Sequence, residues 1–333
     1  VCHRRAGALR WRLPDHLAAL SALAWIGRQR ARALAALILI GILTPPLGAV
    51  LRPYVGEAVF VLLVLSFLRT DLRALVGLAR RPGLVLAAAL WSCIAMPALA
   101  ILAMAGYGRD AIGDGLYLAL VLQAVTSPMM ASPALARLMG LNGDLALAVL
   151  ILTSMLTPLT APVLTSLSGA DLPLSGMALG LMLAGMLAAS AALGVGLRQA
   201  LGAPAIARHG ETLDGVNILV LMVFVSSVMG EVGLEFLKAP LTVLGLTALA
   251  FAANASLIVL TSLAFILWGK RNAAAIGLMS SQRNVGLMLA VAGPLAPPDV
   301  WLYFAVSQIP IYLAPVLLQP LLRIWLAPGA WRV

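Results

Sequence analysis

The feature that most constrains this 333-residue chain is its succession of long apolar stretches, interrupted by short charged or proline-containing patches. A helix needs about 20 such residues to cross about 30 Å of hydrocarbon. No water is present there to satisfy backbone N–H and C=O groups, so a spanning chain must form helices or a closed barrel. The stretches are continuous rather than alternating in a two-residue period, which selects helices. Composition agrees, at 62% hydrophobic and 10% charged residues. Soluble domains are roughly half apolar and a quarter charged, so a soluble globule and a disordered chain are both excluded. Two cysteines and no glycine period exclude a disulfide scaffold and collagen. The chain reads as an all-α polytopic membrane protein.

The sequence holds ten candidate spans: Leu34–Leu51, Tyr54–Leu68, Gly83–Ala105, Gly115–Gly140, Leu145–Leu167, Gly176–Leu197, Val216–Gly230, Leu241–Trp268, Ala273–Ala292 and Val300–Leu326. The net charge of +10 tests that count. If both termini share one side, that side holds eighteen of the 22 Lys and Arg residues, and the other holds Arg52, Arg109 and Lys238. Asp110, Asp114, Asp171, Glu231, Glu235 and Asp299 lean to the second side. Cytoplasmic loops carry the excess of Lys and Arg, so both termini are expected in the cytoplasm, with the protein in the plasma (inner) membrane. The basic surplus then belongs to the lipid bilayer rather than to nucleic acid. Residues 1–33 carry seven Arg and a short Leu/Ala stretch. They read as a basic cytoplasmic or interfacial segment, since the apolar core of a signal peptide would be longer.

The halves echo one another. Ala161-Pro162-Val163-Leu164 ends the first five spans, and Ala314-Pro315-Val316-Leu317 lies in the tenth. Five is odd, so a second five-span block enters the membrane from the opposite side. Residues 34–168 and 175–327 are therefore expected to form two inverted repeats, an architecture of many secondary transporters.

Two spans are interrupted. The fourth reads Gln123-Ala-Val-Thr126-Ser127-Pro128-Met-Met-Ala-Ser132-Pro133, where two prolines each remove a backbone donor. The ninth carries Ser280-Ser281-Gln282-Arg283-Asn284 between apolar stretches. Arg283 lies about ten residues, or roughly 15 Å, from each end of its span, too deep to reach the headgroups easily. Insertion of a central Arg costs about 3 kcal/mol, and no acid stands at comparable depth. Helix N-termini meeting at such breaks, with Arg283 added, make a positive site for an anion. Gln308, beside Pro310 in the tenth span, is a further candidate to face it. The candidate binding residues are Gln123, Thr126, Ser127, Ser132, Ser280, Ser281, Gln282, Arg283, Asn284 and Gln308.

At Ser127–Ala136, Leu152–Leu164, Arg283–Leu287 and Gln308–Val316 the chain resembles the bile acid:sodium symporter family, over roughly residues 34–326. The resemblance implies ten spans in two inverted five-helix repeats, with broken fourth and ninth helices that cross. It also implies alternating-access transport of an amphipathic or carboxylated organic anion. Where the family's fourth helix has Ser-Asn, Ser132 is followed here by Pro133. The position of the family's Glu falls on Met279, that of its Gln on Arg283, and hydroxyl ligands map onto Ala146 and Leu150. Sodium is therefore a possible companion ion whose sites look degraded, and Arg283 is expected to supply the charge that sodium supplies in relatives. No other cofactor or metal is expected. The reading is a secondary active transporter of a small organic anion, not an enzyme. Paired mid-membrane aspartates, a His-based metal motif and a Ser/His dyad, the marks of an intramembrane enzyme, are missing. Other readings are a sodium-coupled symporter with non-standard ion sites, or a metalloid oxyanion exporter. The exporter would want a thiol where Met129 and Met130 stand.

Overall fold

The computed structural model describes Trp25, residues 41–70 and residues 82–326, so all of the basic segment but Trp25, the start of the first expected span, residues 71–81 and residues 327–333 lie outside the described residues. Among the described residues the chain is helical and contains no strand. In chain order the principal helices are α1 Pro45–Leu51, α2 Val55–Arg69, α3 Pro82–Tyr107, α4 Asp114–Val125, α5 Ser132–Leu138, α6 Gly143–Leu167, α7 Gly176–Leu201, α8 Gly210–Lys238, α9 Pro240–Ala264, α10 Lys270–Ser281, α11 Val285–Ala292 and α12 Pro298–Leu326. Six continuous runs, Pro45–Arg69, α3, α6, α7, α8 and α9, are long and apolar enough to cross a bilayer. A seventh counts if the halves of α12, bent by 43° around Pro315, are one span. This is an all-α, multi-pass membrane protein.

One boundary differs from the sequence reading. Arg52-Pro53 separates two expected spans, yet Arg52–Tyr54 is a 3₁₀ turn that carries α1 into α2 without a loop. Proline is compatible with the first turn of a helix, where its missing N–H has no partner to lose. The described part of the region is thus one helical run of 25 residues.

Local chemistry sets the helix ends. Prolines open α1, α9 and α12. The Asn142, Ser175 and Asn284 side chains accept from the N–H of Leu145, Ala178 and Leu287 and so cap α6, α7 and α11. Prolines 158 and 162 sit within α6, which nonetheless stays helical over 25 residues. The hydroxyls of Thr153, Thr157 and Thr160 bond back to carbonyls one turn earlier in that helix.

Two large buried clusters fill most of the interior, beside a small third one of Leu65, Leu68 and Ile206. One joins α2, α4, α7, α8, α11 and α12 around Leu122, Leu183, Phe224, Leu287 and Phe304. The other joins α3, α5, α6 and α10 around Ala88, Val149 and Ile276. Exposed Leu102, Leu159, Leu181, Leu241 and Leu263 form the outer face, as expected of helices solvated by lipid. Ion pairs fasten helix ends. Arg52–Glu231 and Arg69–Asp214 pin α2 antiparallel to α8 at both ends, and the Arg52 guanidinium lies 4.2 Å over the Trp301 ring. Arg109 bonds Asp171, Asp114 and the Gly169 carbonyl, and those carboxylates hold its guanidinium above its ordinary pKa.

Small residues let α7 approach its neighbours. The Gly176/Gly180 pair faces α6, where a Cβ at Gly180 would lie 2.8 Å from the Pro158 carbonyl oxygen. At Gly194 a Cβ would lie 2.7 Å from the Val64 carbonyl oxygen of α2. Overpacking of this kind costs about 1–3 kcal/mol. Gly194→Leu is therefore expected to lower the thermal unfolding midpoint in detergent. Gly185→Leu, on the same helix with open space around it, should leave the midpoint unchanged.

Candidate functional site

Two helix pairs, each too short in either half to cross a bilayer, meet at their breaks. Helix α4 stops at Val125 because Thr126 turns extended (φ −75°, ψ 153°) and Pro128 cannot donate, and the chain resumes as α5 at Ser132-Pro133. Helix α10 stops at Ser281. Gln282 (φ −82°, ψ 68°) and Asn284 (φ −82°, ψ 64°) leave helical geometry before α11 begins at Val285. The two non-helical segments lie antiparallel, with Pro128 opposite Arg283. The Met129 N–H donates to the Gln282 carbonyl at 2.6 Å, and the Asn284 N–H to the Ser127 carbonyl at 2.8 Å. Thr126 Oγ1 donates to the Asn284 carbonyl at 3.2 Å. Each break thus satisfies part of the other's freed backbone, which in hydrocarbon would otherwise cost several kcal/mol per group.

Arg283 fills the junction. Its side chain is 1% exposed, and Nη1 donates to the Thr126 carbonyl at 2.7 Å and the Ser92 carbonyl at 3.1 Å. The first acceptor sits at the C-terminus of α4, the negative end of that helix. The second is made available by a π-helical turn, Trp91–Ala95, within α3. There the Met96 N–H bonds the Trp91 carbonyl. The residue five after Ser92 is Pro97, which has no N–H, so the Ser92 carbonyl has no partner in that register. Nε and Nη2 of Arg283 make no hydrogen bond to the described residues, nor do the Gln282 side-chain amide, Ser92 Oγ, Ser132 Oγ and Ser280 Oγ.

Beside the junction lies a cavity of about 270 Å³. Arg283, Asn284, Met129, Met130 and Ala131 form one wall; Val59, Leu62, Leu63, Leu221 and Phe224 of α2 and α8 form another, and Gln308, Ile311 and Tyr312 of α12 also line it. Ser66 and Asn217 add neutral polar groups, and no carboxylate is among the lining residues. The ion pairs among the described residues all join surface groups away from Arg283. The arrangement is a small, mostly apolar chamber with a fixed cation in its wall. That chemistry suits a guest with an anionic head and an apolar body.

The residues anticipated from sequence divide into three groups. Thr126, Ser127, Gln282, Arg283 and Asn284 come together at the crossing, and Arg283, Asn284 and Gln308 line the cavity. Gln123 is engaged elsewhere: its Oε1 accepts from the Tyr303 hydroxyl at 2.7 Å, tying α4 to α12. Ser132, Ser280 and Ser281 are buried at helix ends beside the breaks and do not line the cavity. Ser281 Oγ bonds back to Leu278, and its carbonyl accepts from Asn254 of α9. Sequence reasoning missed the Ser92 carbonyl, for which Pro97 was the available signal. It also missed the α2 and α8 wall, whose apolar residues look like any lipid-facing helix. Compared with models of known protein families and with curated proteins, the sequence matches none.

Loss of the Tyr303 hydroxyl would leave Gln123 with a buried, unpaired acceptor, at about 1–3 kcal/mol. Tyr303→Phe is expected to lower the unfolding midpoint in detergent. Tyr107→Phe, at an exposed position, should not.

Proposed function

We propose that this protein is a secondary active transporter of a small organic anion, working by alternating access around the crossing, and that it is a divergent member of the bile acid:sodium symporter family. The observation that carries the reading is Arg283, a cationic residue buried where two broken helices meet and bordering the adjacent cavity, whose Nε and Nη2 are shielded from solvent and have no hydrogen-bond partner among the described residues. Buried cations without a carboxylate partner are rare in membranes and mark ligand pathways. Crossing half-helices around a central site are the architecture of a carrier with one binding site, whereas a channel would line a continuous polar path.

The finer topology belongs to the same reading. The six long runs, bent α12 and the pairs α4–α5 and α10–α11 amount to nine crossings from Pro45 onward. A tenth crossing, made by residues that precede Pro45, would complete two inverted five-helix repeats with both termini in the cytoplasm of the inner membrane. The ion pairs favour this sidedness. Arg52–Glu231 and Arg109 with Asp114 and Asp171 join residues assigned to the outside, while Arg69–Asp214 and Arg137–Asp144 join residues assigned to the inside. No pair mixes sides.

The crossing does not suit a sodium ion. Arg283 already takes the Thr126 and Ser92 carbonyls, its charge repels a second cation, and Met279 and Pro133 offer no side-chain oxygen. The guanidinium stands in for the cation. Nε and Nη2 are shielded from solvent in the described state; once the crossing opens to expose them, a carboxylate or sulfonate would complete their hydrogen bonds bidentately, with the apolar body against Leu62, Leu221 and Phe224.

Counterflow into liposomes preloaded with unlabelled anion, run across a panel of carboxylates and sulfonates, tests the proposal. Saturable uptake is expected, at equal rates in sodium and choline buffers. Arg283→Gln should reduce it about tenfold or more, since hydrogen bonds to a charged group are worth about 1.5–3 kcal/mol. Strong sodium dependence, or a non-saturating conductance, would contradict the reading.

A further inference from the structure

We infer that the protein is an obligate anion exchanger: it moves between its outward- and inward-facing states only while an anion rests on Arg283. The inference rests on the anion-carrier reading and adds the coupling mode. A dissociable cation leaves along with its substrate, and the emptied site then relocates as a neutral body. Arg283 cannot leave. Its charge stays in the crossing whether or not a guest is bound.

The surroundings of that charge make the empty and loaded sites unequal. Two backbone carbonyls satisfy Nη1, but Nε and Nη2 have no partner among the described residues. The neighbouring polar groups, the Gln282 amide and the hydroxyls of Ser132 and Ser280, are neutral. The facing wall is hydrocarbon from Val59, Leu62, Leu63, Leu221 and Phe224, with Ser66 and Asn217 as its neutral polar members. In the described state Arg283 is 1% exposed and its Nε and Nη2 are shielded from solvent; opening of the crossing to either solution brings water to the guanidinium. Passage between the two open states requires the α2 and α8 wall to close on the crossing. Closure without a guest places an uncompensated guanidinium against leucine and phenylalanine, the arrangement in which a buried charge is most destabilising. Closure over a monoanion encloses a neutral pair with all its donors used. The loaded carrier therefore has an occluded state within reach and the empty carrier does not, so every inward passage must be matched by an outward one. Exchange of one monoanion for another also moves no net charge, so membrane potential neither drives nor opposes it.

The test uses the full chain in liposomes and labelled naphthalene-2-sulfonate, an organic anion with an apolar body that crosses bilayers poorly. Vesicles contain choline sulfate alone or with unlabelled probe. Uptake into preloaded vesicles is expected to be faster by on the order of a hundredfold, the effect of leaving one buried charge unpaired, and insensitive to an imposed potassium diffusion potential. Equal uptake into empty and preloaded vesicles would overturn the inference. Arg283→Gln should bring the ratio of the two rates toward one and Arg283→Lys should keep it high; an unchanged ratio in Arg283→Gln also overturns it. Equilibrium dialysis with the same probe separates binding from coupling. A protein that binds the probe yet fills empty vesicles is a carrier and not an exchanger. A protein that does not bind it loses the anion site, and exchange with it.

Discussion

The structure turns on one contact: the Arg283 guanidinium donating to carbonyls of Thr126 and Ser92 at the point where two helices give way. A positive side chain at this depth is tolerated because two departures from helical geometry present acceptors to it and a third delivers it. Helix α4 ends and leaves its last carbonyls unpaired. Helix α3 widens into a π turn ahead of Pro97. Helix α10 ends at Ser281, and the non-helical segment that follows carries Arg283. Each departure would be a defect in an isolated membrane helix, and together they satisfy one another.

That mutual dependence explains how the surrounding helices are used. The short bridge between Pro128 and Arg283 fixes the register of the two breaks. Asn254 of α9 holds the Ser281 carbonyl, and Tyr303 of α12 holds Gln123, so elements on either side of the crossing are tied to it by hydrogen bonds rather than by apolar packing alone. The α2 and α8 pair contributes little to this network. It is fastened to itself at both ends by Arg52–Glu231 and Arg69–Asp214, packs directly on α11 where Val59 and Phe224 flank Gly286, and borders the cavity. A pair fastened to itself and held to the junction by apolar packing is an arrangement in which one body can move against the other.

The membrane class, the helical content and the position of both breaks were legible in the sequence because each rests on local chemistry. Apolar runs of span length, prolines without donors at 128 and 133, and five polar residues from Ser280 to Asn284 need no tertiary context to be read. What escaped depended on context. Arg52-Pro53 looks like a loop between spans, but a proline early in a helix is compatible with continuing it. Gln123 reads as a candidate binding residue, and the Tyr303 hydroxyl that its Oε1 accepts from lies 180 residues away, where no local pattern announces it. Leu62, Leu221 and Phe224 cannot be told from lipid-facing residues by type, since hydrocarbon and an apolar cavity select the same side chains. The Ser92 carbonyl belongs to the backbone and carries no residue signature, so Pro97 was its one trace.

The central claim is that the segments around Pro128 and Arg283 pair at the junction, and pairwise cross-linking addresses it most directly. In a chain with Cys2 and Cys93 replaced by serine, Ser127→Cys and Asn284→Cys place thiols on residues whose backbones are hydrogen-bonded across the bridge. A short bifunctional thiol reagent should join them within one chain, and the product should stay a single band after proteolysis in a loop between α6 and α10. If the fragments separate while a control pair across α2 and α8, Ser66→Cys with Asn217→Cys, still cross-links, the two breaks do not meet and the account fails.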